Sequence, residues 1–318
     1  QVLAARYGYI LDKTDTSVHQ ILCLTYSEAG VQAMRDRLFQ FIGPAAHEAH
    51  IFTYHAFCNK IINENPEYFF DFKKFRLAST IQRFELIEKI LLELPDDHVL
   101  QRLIGDRHFD ILRLARQYEN IKKEQRDIPQ LVEQIRQHIA KMADDENYHY
   151  KVNVPRSGAK KGDLKPEYFS NKAKYERAID ALETYFTYLH KMEEHQWMDF
   201  NDMLLQVQYA FSNHPALLAR YQENYLYILV DEFQDTNAIQ NNIVLALCDF
   251  WEQPNLFVVG DDDQAIYRFQ GADQQNLITL ITRYPSIEII CITENFRTTQ
   301  ALLQAAEAII SVLITRIH

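Results

Sequence analysis

The sequence predicts an α/β protein with a parallel sheet, split by an inserted all-α domain. Three observations carry that expectation. Apolar runs of strand length alternate with amphipathic helices over residues 19–63 and again over 198–314, the alternation that builds parallel sheets. Between them, residues 66–196 show helical spacing with few strand-like runs. Two of the later apolar runs, 226–230 and 256–259, end abruptly in acid: Asp231-Glu232 after the first, Gly260-Asp261-Asp262-Asp263 after the second.

In order, residues 1–11 suit a short helix that lacks a Ser, Thr, Asp or Asn cap before its apolar residues. HQILCLT (19–25) is a buried strand, and 28–41 an amphipathic helix stopped at Gly43-Pro44. Residues 49–53 form a second short strand, running into TYHAF (53–57) and a helix to about Asn63. Helices are then expected over 79–94, 96–105, 109–123, 128–143 and 167–195, with Ser79-Thr80 and Asp96-Asp97 as caps and Pro95 as punctuation. From Met198 the alternation resumes: helices at 199–212 and 215–224, a strand at 226–230, a helix at 238–250, a strand at 255–259, a helix at 273–283, a strand at 287–292 and a helix at 299–314.

Composition narrows the class. With 318 residues and 47% hydrophobic content the chain can bury a large core. The cysteines Cys23, Cys58, Cys248 and Cys291 are far apart with no CxxC pair, which argues against a zinc site or disulfide framework and for a reduced, cytoplasmic setting. No apolar run approaches the roughly 20 residues of a membrane span, so no membrane partner is expected. A net charge of −11 argues against a surface that coats nucleic acid generally, and leaves room for a local basic groove. The stretch 151–174, with seven Lys and Arg among Pro155, Gly158 and Gly162, reads as a basic loop, equally compatible with a solvated linker and with phosphate contact.

The acidic strand ends point to chemistry. A carboxylate at the end of a buried strand, followed by a second, is the arrangement in which one holds Mg²⁺ through its water shell and the other orients or deprotonates a water. Asp231 and Glu232 fit those roles. Gln264, ending the second acidic turn, can touch a phosphate without adding charge. Tyr267 and Phe269 follow it on the same expected helix, and Tyr26 and Tyr54 follow the earlier strands; these are stacking faces for bases or ordinary core aromatics.

Longer motifs turn the pattern into a resemblance. VDEFQDTN (230–237), VVGDDDQAIYRFQGAD (258–273) and ITENFRTT (292–299) resemble the Walker B, third and fourth motifs of the UvrD/Rep/PcrA group of superfamily 1 DNA helicases. LTYSEAGVQAMRDRL (24–38), FTYHAFC (52–58) and MDFNDMLL (198–205) resemble further motifs of that group, in the same order. The resemblance covers essentially the whole chain. It implies a RecA-like, P-loop-NTPase-type domain in two parts, 1–65 and 197–298, an inserted helical domain at 66–196, and at 299–318 the start of a linker toward a second RecA-like domain.

It also implies roles: Asp231 for Mg²⁺, Glu232 as the base toward water, Gln264 as γ-phosphate sensor and Arg297 as the charge-stabilising arginine. Thr25, Thr53 and His55 are expected on the DNA backbone, with Tyr26, Tyr267 and Phe269 near bases. The implied cofactors are ATP and Mg²⁺, and the implied partner is single-stranded or partly duplex DNA, tracked 3′ to 5′.

Departures matter as well. Phe269 stands for the family's tryptophan, Gln270 for its following arginine, and Ser27 for an asparagine. No GxxxxGK[S/T] occurs, and GAKKGDLK (158–165) has the wrong spacing, so this stretch alone is expected to bind nucleotide poorly and to be inactive by itself. Two alternatives stay open: the motor part of a RecB- or AddA-like helicase–nuclease, and a non-hydrolysing DNA-binding scaffold on a decayed helicase. Oligomeric state is not readable from the sequence.

Overall fold

The computed structural model describes residues 2–96, 98–100, 107–153, 159–261, 275–292, 294 and 298–314. In chain order its elements are α1 (Val2–Lys13), β1 (Ile21–Thr25), α2 (Glu28–Ile42), β2 (His50–Thr53), α3 (Tyr54–Glu64), β3 (Arg76–Leu77), α4 (Thr80–Glu93), α5 (Arg107–Glu124) and α6 (Ile128–Asp144). There follow α7 (Pro166–Glu194), β4 (Trp197–Met198), α8 (Phe200–Asn213), α9 (Pro215–Asn224), β5 (Tyr227–Val230), α10 (Ala238–Cys248), β6 (Leu256–Val258), α11 (Gln275–Arg283) and α12 (Gln300–Ile314). The chain divides into two compact units, one of residues 1–51, 224–237 and 248–318, the other of 52–223 and 238–247.

The first unit is built on the sheet, whose strand order is β2-β1-β5-β6. β1 pairs with β5 and β5 with β6, both parallel, with Leu24 opposite Val230 and Val230 opposite Val258. All five residues of β1 are buried, which is why ILCLT reads as an unbroken apolar run rather than an alternating one. Leu3, Tyr7 and Ile10 of α1 pack with Met34 and Leu38 of α2 against Ile21, Cys23 and Leu229. Ser27 caps α2, its hydroxyl accepting from the Gly30 N–H at 3.1 Å. The helix ends at Gly43, whose φ of +63° favours the residue without a Cβ.

One expected strand is absent. Residues 287–292 form no strand, and Ile290 is 71% exposed. An apolar run becomes a strand only where a neighbour offers a hydrogen-bonding edge. No described strand pairs with 287–292, and the β6 pairing with β5 stops at Val258.

The second unit is mainly helical. Leu86, Ile87 and Ile90 of α4, Ile111, Leu114 and Tyr118 of α5, and Leu182, Tyr185 and Tyr188 of α7 share one core with Val132 of α6. Ser79 and Gln82 form a reciprocal capping box at the start of α4, and Asp127 caps α6. The strands β3 and β4 pair in parallel, Arg76 opposite Trp197, flanked by Arg76 N–H to Gln196 O at 2.8 Å and Ala78 N–H to Met198 O at 2.9 Å. Two-residue strands carry no period-2 signal, so the sequence did not announce this ribbon.

A helix was expected over 96–105. Residues 98–100 instead form a turn, with His98 N–H on Pro95 O, and 97 and 101–106 lie outside the described residues. The basic stretch divides at Pro166. Lys172 and Lys174 belong to α7, whereas His149 and Leu164 form an antiparallel bridge, with Tyr150 N–H on Asp163 O at 2.9 Å. No described helix is long and apolar enough to cross a membrane.

Candidate functional site

The site forms where β5 ends between β1 and β6. The Asp231 N–H donates to Leu24 O at 2.9 Å on the β1 side, while the Phe233 N–H donates to Val259 O at 3.0 Å on the β6 side. The backbone must therefore swing from one neighbour to the other within Glu232. That residue adopts φ 50° and ψ 46°, the left-handed conformation, at a cost of about 1–2 kcal/mol for a side chain with a Cβ. Hydrogen bonds on both flanks hold it there. A single 3₁₀ turn, Phe233–Asp235, follows, closed by Asp235 N–H on Glu232 O at 2.9 Å and by the Thr236 hydroxyl on Phe233 O at 2.7 Å. Buried Asn276 of α11 donates to Thr236 O at 2.7 Å and fixes the far end of the turn.

Asp231 and Asp235 are partly buried, on either side of an exposed Glu232. Burial, and then the neighbouring Glu232 charge, hold the Asp231 carboxyl above the usual aspartate range. Burial and Glu232 act in the same direction on Asp235, whose Oδ1 is buried without a hydrogen-bond partner among the described residues. Hard oxygen donors carrying more negative charge than their surroundings neutralise form the donor set that Mg²⁺ takes. Among the described residues no group of three or more His, Cys, Asp or Glu converges as a metal cage. Mg²⁺ is commonly held by one or two carboxylates together with water and phosphate oxygens, so Asp231 with Glu232 nearby fits that ion better than it would Zn²⁺ or Ca²⁺.

Gln234 is the residue that sequence reasoning passed over. Its Nε2 donates to Glu232 Oε2 at 2.7 Å and its Oε1 accepts from the Asp261 N–H at 3.0 Å. The signal was present in VDEFQD: an amide between acids is the one uncharged side chain there able to donate and accept at once. Gly260 makes room for it, because a Cβ on Gly260 would lie 2.9 Å from Gln234 Oε1 and 3.4 Å from its backbone N.

The other expected site residues fall in three places. Thr25 ends β1, buried, beside the Asp231 end of β5, and Tyr26 after it is exposed. The first turn of α2 packs so closely on Thr25 that a Cβ on Gly30 would collide with the Thr25 hydroxyl. Thr53 and His55 belong to the second unit. Thr53 caps α3, its hydroxyl accepting from Ala56 N–H at 3.1 Å, and His55 meets Phe200 edge-on at 5.8 Å. Burial, and then the Lys123 charge, keep the His55 imidazole below its ordinary pKa, so it is neutral at pH 7. Gln264, Tyr267, Phe269 and Arg297 lie outside the described residues.

Open α/β sheets place their ligand sites beyond the carboxyl ends of their strands, which is where the Asp231–Glu232 pair stands beside buried Thr25. The family comparison agrees: residues 1–285 match the UvrD/REP helicase N-terminal domain, and the chain belongs to that family. Among curated proteins it is similar to the ATP-dependent DNA helicase PcrA of Bacillus subtilis, 27% identical over 312 residues, which are 98% of this chain and 36% of the relative. PcrA of Staphylococcus aureus is 25% identical over 310 residues and that of Staphylococcus epidermidis 25% over 311, each covering 98% of this chain and 36% of the relative. The chain thus spans little more than a third of the length of these relatives.

Proposed function

We propose that this chain is part of an ATP-dependent DNA helicase or translocase that couples ATP hydrolysis to 3′-to-5′ movement on single-stranded DNA. The observation carrying the reading is the Asp231–Glu232 pair at the end of β5, held by bonds to both neighbouring strands in a chain of the UvrD/REP family. In it, residues 1–65 and 197–298 make one RecA-like domain, 66–196 a helical insertion, and 299–318 the start of a linker.

Asp231 holds Mg²⁺, which when bound offsets phosphate charge. Glu232 takes the proton of the attacking water. The Gln234 amide bonded to its carboxylate supports this role, because a general base must be positioned before it can take a proton. Gln264 contacts the γ-phosphate and Arg297 stabilises transition-state charge. Thr25, Thr53 and His55 bind the DNA backbone; neutral His55 does so as a hydrogen-bond donor rather than as a cation. Tyr26, Tyr267 and Phe269 stack on bases, a grip that tolerates any sequence. The setting is cytoplasmic. With no GxxxxGK[S/T] in it, residues 1–318 alone bind ATP poorly, turn it over negligibly, and hold single-stranded DNA weakly and salt-sensitively.

The test uses the full-length protein with ATP and Mg²⁺ on duplexes carrying a 3′ or a 5′ single-stranded tail. Unwinding of the 3′-tailed duplex alone is expected. Unwinding of neither contradicts the motor reading, unwinding from the 5′ tail contradicts the polarity, and degradation of the strands places the chain in a helicase–nuclease.

A further inference from the structure

We propose that Gln234 is the positioning residue of the hydrolytic carboxylate, and that it links that carboxylate mechanically to the strand end leading into the phosphate-sensing segment. The proposal rests on the reading in which Glu232 is the base. Glu232 sits on a left-handed backbone just past the end of β5, so its side chain leaves the strand in a direction that the strand's own geometry does not set. Gln234 sets it, with Nε2 on Glu232 Oε2 at 2.7 Å and Oε1 on the Asp261 N–H at 3.0 Å.

The bridge is built rather than incidental. Gln234 is buried. Asp261 directly follows Gly260, the position where any Cβ would press into the same amide oxygen. The turn carrying Gln234 is pinned at both ends, by Phe233 N–H on Val259 O and by Asn276 on Thr236 O.

The chemistry selects glutamine. A planar amide carries a donating NH₂ and an accepting oxygen on one rigid frame, so a displacement of the Asp261 backbone pulls on the oxygen and is delivered to Glu232 through the NH₂. Glutamate at this position would keep the acceptor, lose the donor, and set a second carboxylate against Glu232. Methionine would keep the length and lose both bonds. Asp261 stands three residues before Gln264, so one side chain spans from the base to the start of the sensing segment.

The test compares full-length wild type, Gln234→Met and Gln234→Glu in single-stranded-DNA-stimulated ATP hydrolysis, with thermal unfolding as a control for folding. Misaligning a catalytic group by about 1 Å can cost on the order of 100-fold, so kcat is expected to fall about 10- to 100-fold in both variants while KM for ATP stays within about twofold. A loss confined to KM, or unchanged kcat in Gln234→Met, overturns the proposal.

A second measurement needs no turnover. The side-chain amide resonances of Gln234, read by ¹⁵N–¹H NMR of residues 1–318, are expected to shift and to exchange faster with solvent in Glu232→Ala, which removes the acceptor. Unchanged resonances also overturn the proposal. Wild type without ATPase activity but with the expected amide response would defeat the motor reading and leave the bridge standing.

Discussion

Replacing Lys122 by methionine should destabilise the helical unit by about 3 kcal/mol, and by less as pH falls. Lys122, in the last turn of α5, donates at 2.8 Å to Asp199 Oδ2 and at 2.8 Å to Asp202 Oδ1. The remaining oxygens are committed to capping α8. Asp199 Oδ1 accepts from the N–H groups of Asn201 and Asp202, and Asp202 Oδ2 accepts from the Asp199 N–H at 2.7 Å. The Lys122 and Asp199 side chains are 5% and 7% exposed, that of Asp202 24%.

Removing one partner from a buried ion pair typically costs about 3–5 kcal/mol, and the partial exposure of Asp202 places this case at the low end. The pH dependence follows from Asp202. Burial, then the Asp199 charge, raise its folded-state pKa above the ordinary value, against the lowering effect of Lys122. An acid raised in the folded state contributes stability that is fully present below its unfolded pKa and is lost as pH rises through the folded one. Methionine removes the opposing cation and raises that pKa further. The deficit should therefore shrink as pH falls, with a limiting slope of about 1.4 kcal/mol per pH unit per proton. Urea unfolding of residues 1–318, followed by far-ultraviolet circular dichroism, reads both quantities. A loss below about 1 kcal/mol that does not change with pH is what an exposed ion pair gives, and would refute the buried-cluster account.

Two further predictions mark the contrast between buried and exposed polar groups. Asn65 is 0% exposed and its amide donates to Ile61 O and to the Tyr221 hydroxyl, both at 2.8 Å, while Arg220 donates to its Oδ1 at 2.6 Å. Asn65→Ala should cost about 1–3 kcal/mol in urea unfolding because it strands those partners, and a neutral result would contradict the network. Asp249→Asn removes an ion pair with Arg283 whose side chains are 42% and 45% exposed; the expected cost is about 0–1 kcal/mol, less in high salt, and a larger loss would contradict the exposed setting of the pair.

Much of the fold was legible because burial on both faces leaves a plain mark. β1 and β5 are almost wholly apolar, and the helices of the second unit keep their 3.6-residue spacing, with Ser79 capping α4 where a short polar side chain precedes the apolar pattern. What escaped depends on partners rather than on pattern. β3 and β4 are too short to show a period, and 287–292 has the composition of a strand without a neighbour among the described residues to pair with.

The site divides in the same way. Asp231 and Glu232 stood out because acid directly after a buried strand is conspicuous. Gln234 did not, because its importance lies in two contacts: one across a single residue, the other to Asp261, 27 positions further along the chain. The Lys122 cluster was hidden for the same reason, since 77 residues separate Lys122 from Asp199.

ATP turnover by the full-length protein, with and without single-stranded DNA, for wild type beside Glu232→Gln, tests the central claim most directly. Glutamine keeps the shape of the side chain at the left-handed position and removes its basicity. The account predicts DNA-stimulated turnover in wild type and a loss of about 100-fold or more in kcat in Glu232→Gln, with ATP still bound. Wild type unstimulated by DNA, or Glu232→Gln turning over like wild type, would contradict it.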